Sequence, residues 1–597
     1  MRLTVAQALL RFLANQWVER DGRERRFFAG CFGVFGHGNV AGIGQALHQH
    51  PDLLPFHQGY NEQSMVHTAA GYARARRRLG AMACTSSIGP GATNMVTGAA
   101  LATVNRLPVL LLPGDAFATR TPDPVLQQLE VPGRGEVSVN DAFQPVSRYW
   151  DRIARPEQLI PAAYQALRVL TSPAETGAVT LCLPQDVQAE AFAWPEDVLA
   201  PRTWHVPRPL PDPAALERVR AAIRGARRPL VVAGGGVVYS EAEAELARFC
   251  ERTGIPVAET QAGKGSLPWD HPQNVGPVGV SGGLAANRLA READLVIGIG
   301  TRWTDFTTAS QTAFPGASFV SINVAELDAA KQRGMAVVAD ARRALELLGD
   351  LDWGVTGSYR AEVGRLRDLW RAEVDRLRSL GHGPLPAQSE VLGVVNEAAG
   401  EGGTVVCAAG SMPGDLHKLW RTRDPAGYHV EYGYSCMGYE IAGALGVKMA
   451  APEREVYALV GDGSYLMLSD AVATSIAEGL KLIVVLVDNH GYASIAGLSR
   501  SLGTEGFGTG LPAVDLAAHA AGLGAVVLRA KTVDELRAAL EEARGCERTA
   551  VVHVETDPLV QVPAYESWWD VPVAEVAEVS GVQAARRAYE HARRARR

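Results

Sequence analysis

The sequence predicts an α/β protein of three domains, each built on a mostly parallel, doubly wound sheet. Three observations carry this. Short apolar runs rich in β-branched residues alternate with helical stretches along nearly the whole chain, as parallel sheets covered by helices require. Many of these runs end in glycine-rich turns, among them Gly36-His37-Gly38-Asn39, Gly234-Gly235-Gly236 and Gly461-Asp462-Gly463. Two joints interrupt the alternation: a proline-rich stretch at Pro201–Pro213 and a charged helical stretch over residues 355–385. A length of 597 residues suits three domains.

In the first unit, residues 1–190, strands are expected at Arg26–Phe35, Ala81–Thr85, Pro108–Leu112 and Ala178–Leu183, each ending in a turn. Between them, His57 to Gln63 leads into a helix whose basic run, Arg74 to Arg78, reads as a solvated face. Pro201–Pro213 reads as an extended linker. The central unit, residues 205–350, has strands entering the turns at Gly234 and Gly300, but neither turn has the G-x-G-x-x-G spacing of a dinucleotide site. Residues 351–385 read as an exposed connecting helix held by i,i+4 charge pairs. The third unit spans residues 386–565, and the tail, residues 566–597, ends in a solvated, frayed helix.

Within the third unit, Val456–Gly491 reads as a strand at Val456–Val460, a turn, a helix at Leu466–Leu480, and a strand at Leu482–Val487. That is about the size of one βαβ crossover, so the strands are expected parallel. Asp462 and Asn489 then lie just past the carboxyl ends of neighbouring strands, where open α/β sheets bind ligands. A carboxylate, an amide oxygen and the Gly491 carbonyl are hard oxygens that suit Mg²⁺ or Ca²⁺. The backbone N–H groups of Gly463 and Ser464 can cradle a phosphate. A Gly-Asp-Gly by itself is usually only a turn; its pairing with Asn489 is the informative feature.

Composition excludes several classes. The chain is 47% hydrophobic and 21% charged, ordinary for a globular protein. A net charge of −7 gives no basic surface for nucleic acid. No apolar run reaches the roughly 20 residues that cross a bilayer, and the N-terminus reads as an amphipathic helix rather than a signal peptide. Seven cysteines without a C-x-x-C pair favour the reducing cytoplasm and no zinc site.

The run from Gly461-Asp462-Gly463 to Asn489 resembles the diphosphate-binding motif of the thiamine diphosphate (ThDP) enzymes, with Asp488 where that family has the first of two asparagines. The resemblance implies that Asp462, Asn489 and the Gly491 carbonyl hold Mg²⁺, with Gly461, Gly463 and Ser464 completing the diphosphate site. Glu62, followed by Ala70-Gly71-Tyr72-Ala73-Arg74, is similar to the pyrimidine-binding domain of the same enzymes. It implies that Glu62 hydrogen-bonds N1′ of the aminopyrimidine as a catalytic proton relay, for which a carboxyl of raised pKa is suited. Tyr432 to Glu440 resembles the element in which Met437 would wedge the cofactor and the Ser435 carbonyl would meet its amino group. Thr85 to Asn94 resembles the G-P-G-A-T-N loop of acetolactate-synthase-like members.

Family sites lie between the pyrimidine domain of one subunit and the diphosphate domain of another, so a homodimer or homotetramer is implied. The central domain is read as carrying no FAD, since Arg302-Trp303-Thr304-Asp305-Phe306 matches the flavin-binding stretch only in part. His37 stands where proline is usual and is the candidate for activating water; Asn39, Ser87, Gln128 and His417 are the candidate substrate residues. VFGHGNVAGIGQAL, RTPDPVLQQLE, GSMPGDLHKLW and YGYSCMGYEIAGALG are similar to the branch that hydrolyses a C–C bond of a cyclic polyhydroxylated 1,2-dione in myo-inositol breakdown. A carboligase, a 2-oxo acid decarboxylase and a redox dinucleotide-binding protein stay open as alternatives.

Overall fold

The computed structural model describes residues 1–596, and Arg597 of the basic tail lies outside the described residues. Three sheets of six strands dominate, and every pairing within them is parallel. In spatial order the N-terminal sheet runs Phe56–Gln58, Phe28–Gly33, Ala81–Ser86, Val109–Asp115, Ala178–Pro184, Tyr149–Arg152. The C-terminal sheet runs Tyr428–Val430, Thr404–Cys407, Val456–Gly461, Ile483–Asp488, Ala550–Glu555, Val526–Ala530. Numbered along the chain within each domain, both have the order 2-1-3-4-6-5, whereas the central sheet, from Asn274–Pro277 to Met335–Val338, has 3-2-1-4-5-6. Central strands such as Ile483–Asp488 are buried throughout, because helices cover both faces.

One helix pair joins the outer two domains. The helices Glu62–Ala75 and Tyr439–Ala450 each follow the second strand of their sheet. They cross with their backbones in contact: a side-chain carbon at Gly71 would strike Gly443, and one at Gly446 would strike the Thr68 carbonyl. Around the crossing, one apolar cluster runs from Met65 and Ala70 through Ala444 and Leu445 to Val460 and Val484.

Several expectations are corrected. The strand expected at Arg26–Phe35 divides, because Arg23–Arg26 is too charged for a sheet interior and pairs antiparallel with Gln16–Arg20 outside it. Pro201–Pro213 is no free linker. Arg202–His205 adds to Gln16–Arg20 as a parallel strand, and Trp204 Nε1 donates to Gln16 Oε1 at 2.9 Å. The charged helix, Gly357–Arg378, is half buried rather than exposed. Tyr359, Val363, Leu366, Trp370, Val374 and Leu377 form an apolar stripe three or four residues apart.

The helix expected at Leu466–Leu480 is broken into Asp462–Met467 and Ala471–Ala477. Between them Asp470 turns to the N-terminal domain and accepts from Ser64 Oγ at 2.7 Å. The tail helix forms over Ser580–Arg596, and the segment before it is anchored to the central domain. Asn287 Nδ2 donates to the Tyr565 carbonyl at 2.7 Å, and Trp569 Nε1 to Asp305 Oδ2 at 3.1 Å. Among the described residues no helix is long and apolar enough to cross a membrane.

The crossing makes a direct demand on Gly446. Gly446→Ala should cost roughly 1–3 kcal/mol by overpacking, a fall of about 2–10 °C in the melting midpoint of a domain of this size. An unchanged thermal melt would show that the helices separate freely.

Candidate active site

Asp462 opens a short helix directly after its strand, with Gly461 extended at the cap. Its carboxylate is held by two backbone donors. Oδ1 accepts from Gly463 N at 2.8 Å, and Oδ2 accepts from Gly491 N at 2.8 Å across the neighbouring strand end. The two turns are therefore joined. A side chain at Gly463 would strike the Tyr492 ring, so glycine is needed there. On the same turn as Gly491, Asn489 Oδ1 is buried and has no hydrogen-bond partner. A buried amide oxygen left so costs about 1–3 kcal/mol. A hard divalent cation would satisfy it, and the neighbouring donors, a carboxylate and backbone carbonyls, are the kind such a cation takes. Burial raises the Asp462 carboxyl above its usual range, and the Asp488 carboxylate beside it adds to the effect. Asp488, the departure from the family motif, accepts from His490 N at 3.0 Å and meets His553 Nε2 at 3.0 Å.

The Tyr432–Glu440 segment meets this place from the side. Ser435 takes a left-handed φ of 53°, uncommon for a residue with a side chain. Glu431, buried, holds the turn by accepting from Tyr434 N at 2.8 Å and Cys436 N at 3.0 Å. Met437 is half-buried on the next step. Glu440 is fully buried and accepts from Gly438 N at 3.0 Å, Ser464 Oγ at 2.7 Å and Ala409 N at 3.3 Å. It thus ties three strand ends together, and it occupies the Ser464 hydroxyl, leaving the backbone of that residue for other work. Neither glutamate was singled out from the sequence. A carboxylate inside an otherwise apolar, glycine-rich element was the available signal.

Glu62 stands at the first turn of its helix, capped by Asn61, whose Oδ1 accepts from Gln63 N at 2.9 Å and Ser64 N at 3.2 Å. Its Oε2 accepts from Asn94 Nδ2 at 2.8 Å. An open cleft of about 680 Å³ lies in front of it, lined also by Phe35, His37, Ser87 and Gln127. Every lining residue belongs to the N-terminal domain. Ser87 Oγ accepts from Gly38 N at 3.1 Å. His37 Nε2 lies 3.0 Å from the Leu126 carbonyl. A carbonyl only accepts, so the neutral ring carries its proton on Nε2 and leaves the lone pair on Nδ1.

Three sequence candidates lie elsewhere. Asn39 is buried and spent on its own loop, donating to the Val34 carbonyl and Thr85 Oγ1, both at 3.2 Å, and accepting from Gly36 N at 2.9 Å. Gln128 folds back to accept from Val125 N at 2.9 Å, while its neighbour Gln127, with a left-handed φ of 66°, faces the cleft. His417 is buried where the central and C-terminal domains meet, with Nδ1 2.9 Å from Ser281 Oγ. These side-chain directions depend on loop geometry that residue type does not carry.

Comparison with known proteins agrees with this geometry. Family models match residues 3–133 (thiamine pyrophosphate enzyme, N-terminal TPP binding domain), 216–348 (central domain) and 408–554 (C-terminal TPP binding domain). The chain is 46% identical over 627 residues to a 3D-(3,5/4)-trihydroxycyclohexane-1,2-dione hydrolase of Geobacillus thermodenitrificans (strain NG80-2), covering 98% of both chains. It is 46% identical over 629 residues to such a hydrolase of Bacillus cereus (strain AH820) and 45% identical over 629 residues to one of Bacillus anthracis, each covering 98% of this chain and 97% of the relative. The chain belongs to the trihydroxycyclohexanedione hydrolase family of thiamine pyrophosphate enzymes. The two family models that name TPP binding contain Glu62 on one side and Asp462 and Asn489 on the other.

In this family member Glu440 is a titratable strut. Burial pushes its carboxyl from 4.5 up to about 7, against the hydrogen bonds it accepts. The folded protein therefore holds the proton more tightly than the unfolded chain, and stability falls as pH rises across that window. Glu440→Gln removes the slope. In melts of cofactor-free protein, the variant should gain on the wild type between about pH 4.5 and 7, by up to about 3 kcal/mol. A pH-independent difference would refute this assignment.

Proposed function

We propose that this protein opens 3D-(3,5/4)-trihydroxycyclohexane-1,2-dione by adding water across one C–C bond, with ThDP and Mg²⁺ as cofactors, in myo-inositol breakdown in the cytoplasm. Water supplies the hydroxyl of a new carboxylic acid and one hydrogen to the other fragment end, which leaves as an aldehyde. The open-chain product is a 5-deoxy sugar acid, 5-deoxyglucuronate. The observation that carries the reading is that Glu62 and His37, whose Nε2 meets the Leu126 carbonyl, line one cleft. It is supported by the full-length likeness to the dione hydrolases.

Bound ThDP supplies a carbon nucleophile and electron sink for one ketone of the dione. The residues do the rest. Asp462, Asn489 and the Gly491 carbonyl would hold Mg²⁺, and Gly461, Gly463 and Ser464 would line the diphosphate turn. Ser435 and Met437 would contact the bound cofactor from the side of the Tyr432–Glu440 segment. Glu62 exchanges a proton with the pyrimidine ring. His37 Nδ1 takes a proton from the water that adds to the second ketone, and Ser87 and Gln127 offer hydrogen-bonding groups to the substrate hydroxyls. The active protein is a homodimer or larger. That the Glu62 cleft is lined by the N-terminal domain alone supports it, because a second copy would bring the Asp462 turn to the open side.

Assay of the purified protein with ThDP and Mg²⁺ tests the reading: the dione should be consumed with release of one acid equivalent. Consumption of pyruvate with the dione untouched would replace it by a carboligase or decarboxylase. Asn489→Leu should weaken cofactor binding at least about tenfold in calorimetry, as loss of one ligand of a hard cation does; unaltered ThDP affinity would remove Asn489 from the metal site. Glu62→Gln should keep ThDP while cutting turnover about 10²–10⁴-fold, the range of a lost proton-transfer group. His37→Ala should slow ring opening without changing ThDP affinity, and an unchanged rate would exclude His37 as the base.

A further inference from the structure

We infer that Asn94 is a positioning residue for Glu62, holding Oε2 so that Oε1 is the oxygen that exchanges the proton. Asn94 Nδ2 is 2.8 Å from Glu62 Oε2 and 3.5 Å from Asn61 Oδ1. Both partners are acceptors, so the amide has one orientation only. Asn61 Oδ1 is itself immobilised by two backbone donors of the Glu62 helix. The other oxygen is confined from the opposite side. A side-chain carbon at Gly91 would lie 2.9 Å from Glu62 Oε1, so this oxygen rests against bare backbone. Asn94 and Gly91 belong to one short helix, Pro90–Asn94, which enters from Gly89 at a φ of +70°. The carboxyl is thus gripped at one oxygen and walled at the other by a single rigid turn.

A carboxyl rotor left alone presents either oxygen to a partner. Here the turn selects one, because the amide holds Oε2 while Oε1 rests against the Gly91 backbone. Two other titratable groups bear on Glu62: Asp470 from the C-terminal domain, whose carboxyl feels the Glu62 charge, and His37 in the same cleft. Asn94→Asp replaces the donor by a like charge, whereas Asn94→Ala only releases the rotor.

The inference rests on the reading of Glu62 as the proton relay, and the test separates the two. In the holoenzyme, Asn94→Ala should lower kcat about 10–100-fold while the ThDP dissociation constant from calorimetry stays within about threefold. The circular dichroism bands of the bound amino- and iminopyrimidine should shift in balance. Asn94→Asp should move the acid limb of the kcat/KM profile up by about one pH unit or more. In a Glu62→Gln background, Asn94→Ala should cost less than about a further twofold, since one interaction is already gone. Multiplicative losses in the double variant, or an unmoved acid limb in Asn94→Asp, would overturn the positioning role. Full turnover by Glu62→Gln alone would sink the relay and this inference with it.

Discussion

The contact of two backbones at Gly71, Gly443 and Gly446 is the constraint on which the rest depends. It lets the helix that begins at Glu62 lie against the helix that begins at Tyr439. The helices occupy the same place in two sheets of identical strand order, so the outer domains are packed as near equivalents through a shared element. Any side chain at the crossing would push the helices apart. The displacement would be felt at their N-termini, where Glu62 and the Ser435–Gly438 turn stand. Rigid packing over many residues thereby sets the position of a few.

Around that crossing, buried and half-buried carboxylates carry much of the local order. Glu431 shapes the turn bearing Ser435, and its Oε1 also accepts from Asn105 of the N-terminal domain at 2.8 Å. Glu440 gathers Gly438, Ser464 and Ala409. Asp470 accepts from Ser64, and Glu478 pairs with His57 at 2.7 Å, both bridging the outer domains. Charges so placed are costly to bury unless each is hydrogen-bonded, and these are. The arrangement spends stability on register, which a site assembled from separate turns requires.

The Asp462 turn and the Glu62 cleft are built differently. The Asp462–Gly491 junction is a tight contact between neighbouring strand ends, with the Asp462 carboxylate accepting from the Gly491 backbone. The Glu62 cleft is open, and its one histidine is oriented by a carbonyl of a long irregular loop. On the proposed function, anchoring would be built on sheet geometry and substrate handling on loop geometry. That division lets one anchoring scheme serve different reactions.

The three parallel sheets, the placing of Asp462 and Asn489 just past neighbouring strand ends and that of Glu62 at a helix start were legible in the residues, because strand periodicity and glycine turns are local properties. The resemblance to the family rested on those same local motifs. What the chain folds against was not local. The apolar stripe of Gly357–Arg378 hid among charges, and the second strand partner of Gln16–Arg20 lay in a proline-rich stretch. Likewise, residue type could not tell that Asn39 is consumed by its own loop, that Gln127 rather than Gln128 faces the cleft, or that His417 is buried between domains. Composition and spacing decide which elements form. Only the closing of loops and the meeting of distant surfaces decides which way a polar side chain turns, since that depends on hydrogen-bond partners far away in the sequence.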